Sequence, residues 1–144
     1  MTRTSSASPL EITASVLVQA EPARVWQLAM DWARQERWML ATRVQGGQGT
    51  GAGVVARTGF GPVGFTDTMV ITEWDPPRRC VVRHTGRAVH GIGVFEVIPR
   101  GTLSEFAWTE ELALPWPASL FSWLAARPAR MIMDASLRRF ARLT

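Results

Sequence analysis

Three titratable side chains fall on the apolar faces of predicted strands, and they are the strongest candidates for chemistry in this sequence. Asp67, His84 and Glu110 each occupy a position where the alternation of the strand predicts an apolar residue. A carboxylate without a partner in apolar surroundings is costly, so such a group has a partner or reaches water. An imidazole beside carboxylates can orient a ligand, and in an enzyme it can exchange protons near neutral pH.

Two structural explanations of the same three residues stay open at this point. Asp67 and Glu110 would be solvated if they stood near strand ends, and a single histidine on an apolar face is often a core residue with satisfied hydrogen bonds. A one-residue shift in strand register would turn all three side chains outward. We therefore treat His84, Asp67 and Glu110 as catalytic candidates only if the protein is an enzyme.

The sequence predicts neither a metal site nor a cofactor site. One cysteine and two histidines do not form the usual zinc-binding spacings. The glycines between 46 and 53 precede a predicted strand rather than a helix, so they are turn residues and not a phosphate-binding loop. The single cysteine, Cys80, excludes an internal disulfide and favours a reducing compartment, so we expect a cytoplasmic protein.

A sheet must position the three candidates, because most of the chain alternates between apolar and polar residues. Seven segments are predicted as strands: 11–20, 41–45, 54–58, 65–74, 80–85, 91–98 and 102–114. Two short helices are predicted after the first strand, one opening at Pro22 and one capped by Asp31. The predicted order is a strand, two short helices, a run of strands and a final helix.

The lengths of the predicted turns set the strand registers. The turn before the fifth strand places Met69 opposite His84, with Asp67 on the diagonal. The short turn between the last two strands places Gly91 opposite Glu110. His84 itself is predicted opposite Gly91, so one glycine separates it from Glu110, and the three polar residues should form one cluster.

The predicted register of the last two strands also accounts for a glycine. Gly93 stands opposite Trp108, and its missing side chain leaves room for the indole to lie across the neighbouring strand. In the same register Phe95 faces Phe106. These pairs place the apolar residues of the strands on one face of the sheet.

The last part of the chain predicts one long amphipathic helix. Apolar residues recur there at helical spacing in a stripe made of Leu120, Leu124, Met131 and Ala135, with Phe121, Ile132 and Phe140 beside it. Pro128 interrupts the pattern, so we expect a kink or a break at this point. This helix is the element that the strands are predicted to close over.

At 144 residues, the chain is predicted to form one domain over residues 10–144, preceded by a disordered tail of residues 1–9. The tail holds no signal-peptide segment, and no apolar run is long enough to span a membrane. The net charge of +4 lies in the final helix, where five arginines from Arg127 onward accompany one acid. Aromatic residues are not interleaved with these arginines, so we expect no nucleic-acid binding and retain an anionic membrane surface only as an alternative partner.

Four short motifs follow one another along the chain. They are a strand followed by Glu21-Pro22-Ala23-Arg24-Val25-Trp26, then Asp31 with Trp38, then the turn Glu73-Trp74-Asp75-Pro76-Pro77-Arg78, and finally Phe95, Val97 and Pro99 followed by Gly101-Thr102. In this order they resemble the START-like proteins, also called the SRPBCC or polyketide cyclase/dehydrase-like superfamily. The match covers the chain from about Glu11 to the final helix.

The resemblance implies an α+β helix-grip fold, in which a curved antiparallel sheet of seven strands wraps around the C-terminal helix. It also implies a cavity between sheet and helix that holds an apolar small molecule such as a lipid, a sterol or a polyketide. We expect the ligand-binding wall to consist of Trp38, Phe65, Met69, Phe95, Phe106, Trp108, Leu124 and Met131.

Three functions follow from this resemblance and from the residues. The first is binding of a hydrophobic small molecule without catalysis. The second is a cyclase, aromatase or hydratase that uses His84 with Asp67 or Glu110. Such enzymes often use a tyrosine in the pocket, and this chain contains no tyrosine. The third is lipid transfer at anionic membranes through the basic helix. Nothing in the residues predicts the oligomeric state.

Overall fold

The computed structural model describes residues 10–87, 89–113 and 122–144. The predicted disordered tail, residues 1–9, lies outside the described residues, as do Leu120 and Phe121 of the predicted helix stripe.

Strands and helices follow one another in the order that the alternation predicts. The strands are β1 Leu10–Val18, β2 Thr42–Gly46, β3 Gly53–Phe60, β4 Val63–Asp75, β5 Arg79–His84, β6 His90–Arg100 and β7 Leu103–Ala113. The helices are α1 Pro22–Ala29, a 3-10 helix Trp32–Arg37 and α2 Ser122–Ala141. Asp31 precedes the 3-10 helix but makes no side-chain capping hydrogen bond; it pairs instead with Arg34, 3.5 Å away.

All seven strands form one antiparallel sheet in the order β1-β7-β6-β5-β4-β3-β2. Each strand except β1 therefore pairs with its neighbour in sequence, and β1 closes against β7. The sheet is curved, and one face, called the inner face below, turns toward α2. These features confirm the predicted α+β helix-grip fold.

The predicted registers around β5 are confirmed at the positions that matter most. Met69 lies opposite His84, and His84 lies opposite Gly91. The register shifts between Ile71 and Glu73, where β4 carries an irregularity that the turn length did not reveal.

The predicted register between β6 and β7 is wrong by two residues. Gly93 lies opposite Glu110 rather than Trp108, and Phe95 lies opposite Trp108 rather than Phe106. The reason is the position of the turn, which lies after Arg100 rather than after Pro99. A shift of two residues keeps every side chain on its predicted face and changes only its neighbours.

In the described part of α2, the predicted apolar stripe is wrong at Leu124 and Met131, whereas Phe140, predicted beside the stripe, is buried. The side that packs against the sheet carries Met133, Leu137 and Phe140, all buried, whereas Leu124 and Met131 are 54% and 70% exposed. Spacing of three and four residues places the buried set on one side of a helix. Apolar residues occupy both sides of this helix, so spacing alone did not identify the packed side. The helix runs through Pro128 without a break.

The last turns of α2 are anchored in an aromatic cluster. The ring of Phe140 lies 4.6 Å from that of Phe106 in β7 and 5.2 Å from that of Trp38. A hydrogen bond of 3.2 Å from the backbone N–H of Leu40 to the Ser136 hydroxyl joins the same two regions. These contacts fix the C-terminal part of α2 over the inner face.

Candidate functional site

His84 stands at the centre of a buried hydrogen-bonded cluster on the inner face. Its Nδ1 lies 2.8 Å from Oδ2 of Asp67, and its Nε2 lies 3.1 Å from Oε2 of Glu110. The side chain of His84 is 5% exposed, that of Asp67 is 13% exposed and that of Glu110 is 17% exposed. The structure therefore brings together all three residues that the sequence analysis selected.

The strand registers explain how the cluster forms. Asp67 reaches His84 along the diagonal of the β4–β5 pair, two residues before Met69, which lies directly opposite His84. Glu110 reaches His84 from β7 across β6, where the residue opposite it is Gly93. A Cβ atom added at Gly93 would lie 3.1 Å and 3.3 Å from the two carboxylate oxygens of Glu110. The glycine therefore leaves room for this carboxylate, and not for an indole as predicted.

A tryptophan fixes the second oxygen of Glu110. Nε1 of Trp108, two residues earlier on the same face of β7, donates a hydrogen bond of 2.8 Å to Oε1. The second oxygen of Asp67, Oδ1, is enclosed and has no hydrogen-bond partner among the described residues. The cluster is thus firmly held on the Glu110 side and less fully satisfied on the Asp67 side.

The surroundings of His84 favour its charged form. Burial by itself lowers the pKa of His84, because burial penalises an imidazolium. The hydrogen bonds to Asp67 and Glu110, and the negative charges of both carboxylates, outweigh burial and raise the pKa to about 9. Near neutral pH both ring nitrogens therefore carry hydrogens, and each donates to a carboxylate.

A cavity of about 120 Å³ lies beside this cluster. Its walls come from β2 to β7 and from the 3-10 helix with the residues after it. No described residue of α2 is among them, so this cavity does not have the expected position between the sheet and the C-terminal helix. The lining residues are Trp32, Gln35, Met39, Thr42, Val44, Val54, Ala56, Thr58, Asp67, Met69, Val82, His84, Phe95, Trp108 and Glu110. The volume is close to the ~150 Å³ of an apolar cavity that holds benzene, and below the ~300 Å³ at which drug-sized sites begin.

Three of the eight predicted wall residues line this cavity, namely Met69, Phe95 and Trp108. Trp38 and Phe106 are buried in the aromatic cluster with Phe140 instead. The ring of Trp38 lies 6.3 Å from that of Trp108, so it supports the wall from behind.

The other three predicted wall residues lie outside the cavity lining. Phe65 shares the inner face with Asp67, but it stands nearer the turn that follows β3 and is 48% exposed. Leu124 and Met131 lie on the exposed side of α2, because the packed side of this helix is the one that carries Met133 and Phe140.

Sequence reasoning missed the part of the wall that comes from β2, β3 and the 3-10 helix. Val54, Ala56 and Thr58 alternate inward along β3, and this alternation was the available signal. The small side chains of Ala56 and Thr58 help to leave the space open. Gln35 is fully enclosed, and its Nε2 donates 2.7 Å to the carbonyl of Ala29; nothing in the sequence pattern distinguishes it from a surface residue of a short helix.

Neither a metal centre nor a reactive thiol is found in the part of the chain that the structure describes. In that part, no group of three or more His, Cys, Asp and Glu side chains is arranged to hold a metal ion. Asp67 and Glu110 bind opposite nitrogens of His84, so the three do not converge on one point. Burial and the nearby charge of Glu73 raise the pKa of the Cys80 thiol to about 12, which keeps it protonated and unreactive.

Comparison with known proteins identifies the kind of chain to which this site belongs. The family of polyketide cyclase/dehydrase and lipid transport proteins matches residues 9–144. No curated protein sequence matches the chain.

Solved structures share the fold at low sequence identity. The protein TTHA0849 from Thermus thermophilus is 17% identical, with a TM-score of 0.76 over 92% of this chain and 95% of that chain. The Zhui aromatase/cyclase from a Streptomyces species is 16% identical, with a TM-score of 0.73 over 92% of this chain and 91% of that chain. DynU16, from the dynemicin biosynthetic locus, is 17% identical with a TM-score of 0.70, and the match covers 92% of this chain but 46% of that one.

Proposed function

This chain belongs to the family of polyketide cyclase/dehydrase and lipid transport proteins, and we propose that it binds an apolar small molecule in the cavity beside His84. The family and its aromatase/cyclase neighbour support a ligand-binding or cyclase role in general. The observation that carries the specific proposal is a partly open, largely apolar space with one polar cluster in its wall. That combination is typical of small-molecule sites, where apolar surface gives affinity and a few polar groups give orientation.

The volume of the cavity favours a ligand about the size of one ring. A ring that buries about 150 Å² of apolar surface gains ~4 kcal/mol, which corresponds to a dissociation constant near ~1 mM. A hydrogen bond to a charged group adds ~1.5–3 kcal/mol when it is well formed. Binding in the micromolar to millimolar range is therefore the expected result for a single-ring ligand.

Intrinsic tryptophan fluorescence is a direct test, because Trp32 and Trp108 line the cavity. Toluene, a medium-chain fatty acid and a sterol should be titrated into the protein separately. We expect a saturable change with toluene at millimolar concentration, and a weaker response or none with the two larger ligands.

Two adjacent residues of β3 provide a matched pair of variants. Ala56 is buried and lines the cavity, whereas Val55 points to the opposite face and is 43% exposed. Ala56→Phe should abolish the fluorescence response by filling the cavity, and Val55→Phe should leave it unchanged. If Ala56→Phe does not fold, as judged by circular dichroism, Ala56→Leu is the smaller filling variant. An equal response in both β3 variants would place the ligand elsewhere and contradict the proposal.

A second candidate function is supported by the exposed side of α2. Leu124, Met131 and Ile132 are each more than half exposed there, and exposed arginines, Arg127 and Arg138, flank them. An apolar stripe bordered by arginines is typical of a helix that lies on an anionic membrane surface. Among the described residues, no helix has the length and apolarity needed to cross a membrane.

Liposome co-sedimentation tests this second candidate. Lipid transfer through α2 requires binding to phosphatidylglycerol vesicles that weakens with salt, and little binding to phosphatidylcholine vesicles. Met131→Glu should reduce binding, whereas Leu17→Glu, at an exposed apolar residue of β1, should not. Equal binding of both variants, or no dependence on anionic lipid, would remove this function.

The hydrogen bonds of His84 change the role that this residue would have if the protein were an enzyme. Both ring nitrogens of His84 are engaged by Asp67 and Glu110, so the imidazole has no free position from which to contact a substrate. In a cyclase or hydratase of this kind, a carboxylate would face the substrate and His84 would act as a positioning residue. With a substrate in hand, Glu110→Gln should then reduce turnover more than His84→Gln; the reverse order would restore His84 as the acid–base group.

A further inference from the structure

The side-chain donors of the residues that line the cavity are almost all hydrogen-bonded within the protein. Behind the wall, the indole N–H of Trp38 is buried without a hydrogen-bond partner among the described residues. The N–H of Trp32 donates 2.7 Å to the carbonyl of Gly47, and that of Trp108 donates 2.8 Å to Glu110. One amide hydrogen of Gln35 is bound to the carbonyl of Ala29. The N–H groups of both tryptophans and one amide hydrogen of Gln35 are therefore already engaged and cannot be donated to a ligand.

The two threonine hydroxyls are engaged in the same way. The hydroxyl of Thr42 donates 3.0 Å to the carbonyl of Leu40. Its Oγ1 also lies 3.0 Å from Oγ1 of Thr58. Because a hydroxyl has one hydrogen, Thr58 must be the donor in this second bond. Lone pairs remain on the threonine oxygens, but no free hydroxyl hydrogen does.

The charged cluster completes this pattern. Both ring nitrogens of His84 lie within hydrogen-bond distance of carboxylate oxygens, and because the pKa of His84 is raised to about 9, both carry hydrogens near neutral pH and donate them. One imidazolium between two carboxylates leaves one negative charge uncompensated within the cluster. Among the described lining residues, the second amide hydrogen of Gln35 is therefore the one side-chain donor that has no partner. Acceptors, by contrast, are present on Asp67, Glu110 and both threonines.

We infer that the cavity takes ligands that present a hydrogen-bond donor, and that it disfavours ligands that carry a carboxylate. The inference rests on the proposed function and narrows it to a class: a single-ring molecule with a hydroxyl or an amine, and not a fatty acid. A carboxylate would enter beside like charge and would find few donors, which costs binding free energy on both counts. A hydroxyl or ammonium group would find acceptors already held in place.

Five probes with the same seven carbons separate these effects: toluene, anisole, benzyl alcohol, benzylamine and benzoate. Anisole and benzyl alcohol are isomers that differ in whether they can donate. We expect benzyl alcohol to bind about tenfold more tightly than anisole, from one hydrogen bond to a charged acceptor, and benzoate to bind most weakly. If benzylamine binds more tightly than benzyl alcohol, the preferred ligand carries a cationic donor group. If benzyl alcohol binds more tightly, the preferred donor group is neutral.

Two variants test whether the preference for donor ligands over carboxylates depends on the cluster of Asp67, His84 and Glu110. Glu110→Gln puts a donor in the wall and removes a charge, so the ratio of benzyl alcohol affinity to benzoate affinity should fall about tenfold or more. Glu111→Gln changes the next residue of β7, which points to the opposite face, and should leave the ratio unchanged. If Glu110→Gln fails to fold, Asp67→Asn makes the same comparison.

The possible outcomes separate the inference from the function on which it rests. If toluene and anisole bind as well as benzyl alcohol, or benzoate binds more tightly, the cavity is a ligand site and the donor preference is wrong. If none of the five probes binds the folded protein, the proposed function fails and the inference fails with it.

Discussion

Glu110 lies directly opposite Gly93 in the β6–β7 pair, and a Cβ atom at residue 93 would stand 3.1 Å from its Oε1. Because glycine lacks this atom, the carboxylate has room to lie 3.1 Å from Nε2 of His84. A glycine inside a strand usually weakens the strand, but Gly93 is needed for the Glu110 carboxylate to reach His84.

Gly93→Ala should disturb the cluster without unfolding the sheet. The new methyl group would also lie 3.1 Å from Cγ2 of Val82, so we expect Glu110 to move by a few tenths of an ångström and its bond to His84 to weaken. The pKa of His84 should then fall, because that bond helps to raise it.

An NMR titration of the His84 ring protons measures this effect. Gly53→Ala is the matched control, since a Cβ there would have nothing within 4 Å. The same His84 pKa in wild type and Gly93→Ala would show that Gly93 does not position Glu110.

Much of the fold and of the cluster could be predicted because both depend on which face a residue occupies. Alternation along β4, β5 and β7 places Asp67, His84 and Glu110 on one face, and an error of two residues in the β6–β7 register does not alter that. Which residues lie opposite each other depends on the exact position of the turn between β6 and β7. The residue opposite Gly93 was therefore predicted wrongly.

The cavity itself could be predicted only in part, for two physical reasons. Its volume depends on short side chains in β3, such as Ala56 and Thr58, and on a buried polar residue, Gln35, and these carry little periodic signal. The side of α2 that packs on the sheet was chosen wrongly because Met131 and Met133 offer apolar alternatives on opposite sides of one helix.

The stability of the protein should depend on pH through His84. Its folded-state pKa of about 9 lies above the ordinary value of 6.5. The stabilisation is therefore complete below pH 6.5, where the unfolded chain is also protonated, and is lost as pH rises through 9. The whole effect is on the order of 3 kcal/mol.

Urea denaturation between pH 6 and pH 9.5 measures this dependence. His84→Gln should lack the decline seen in wild type, and the difference between the two curves removes the contributions of other groups. His90→Gln, at the exposed histidine, should keep the decline. Parallel curves for wild type and His84→Gln would contradict the assigned charge state.

The anchoring of α2 predicts a large cost for one core substitution. Phe140 is fully buried between Trp38 and Phe106, so Phe140→Ala should lower the free energy of unfolding by ~3–5 kcal/mol. Phe60→Ala, at a ring that is 80% exposed, should change it by less than ~0.5 kcal/mol. Chemical denaturation compares the two, and similar small losses would mean that α2 is not held by this cluster.

The central claim is that a ligand occupies the cavity beside His84, and methionine methyl groups report on it most directly. Met39 and Met69 line the cavity, whereas Met131 lies 70% exposed on the far side of α2. In protein labelled with ¹³C at the methionine methyl groups, benzyl alcohol should give intermolecular NOEs to Met39 and Met69 and none to Met131. NOEs to Met131 without any to Met39 or Met69 would contradict the account.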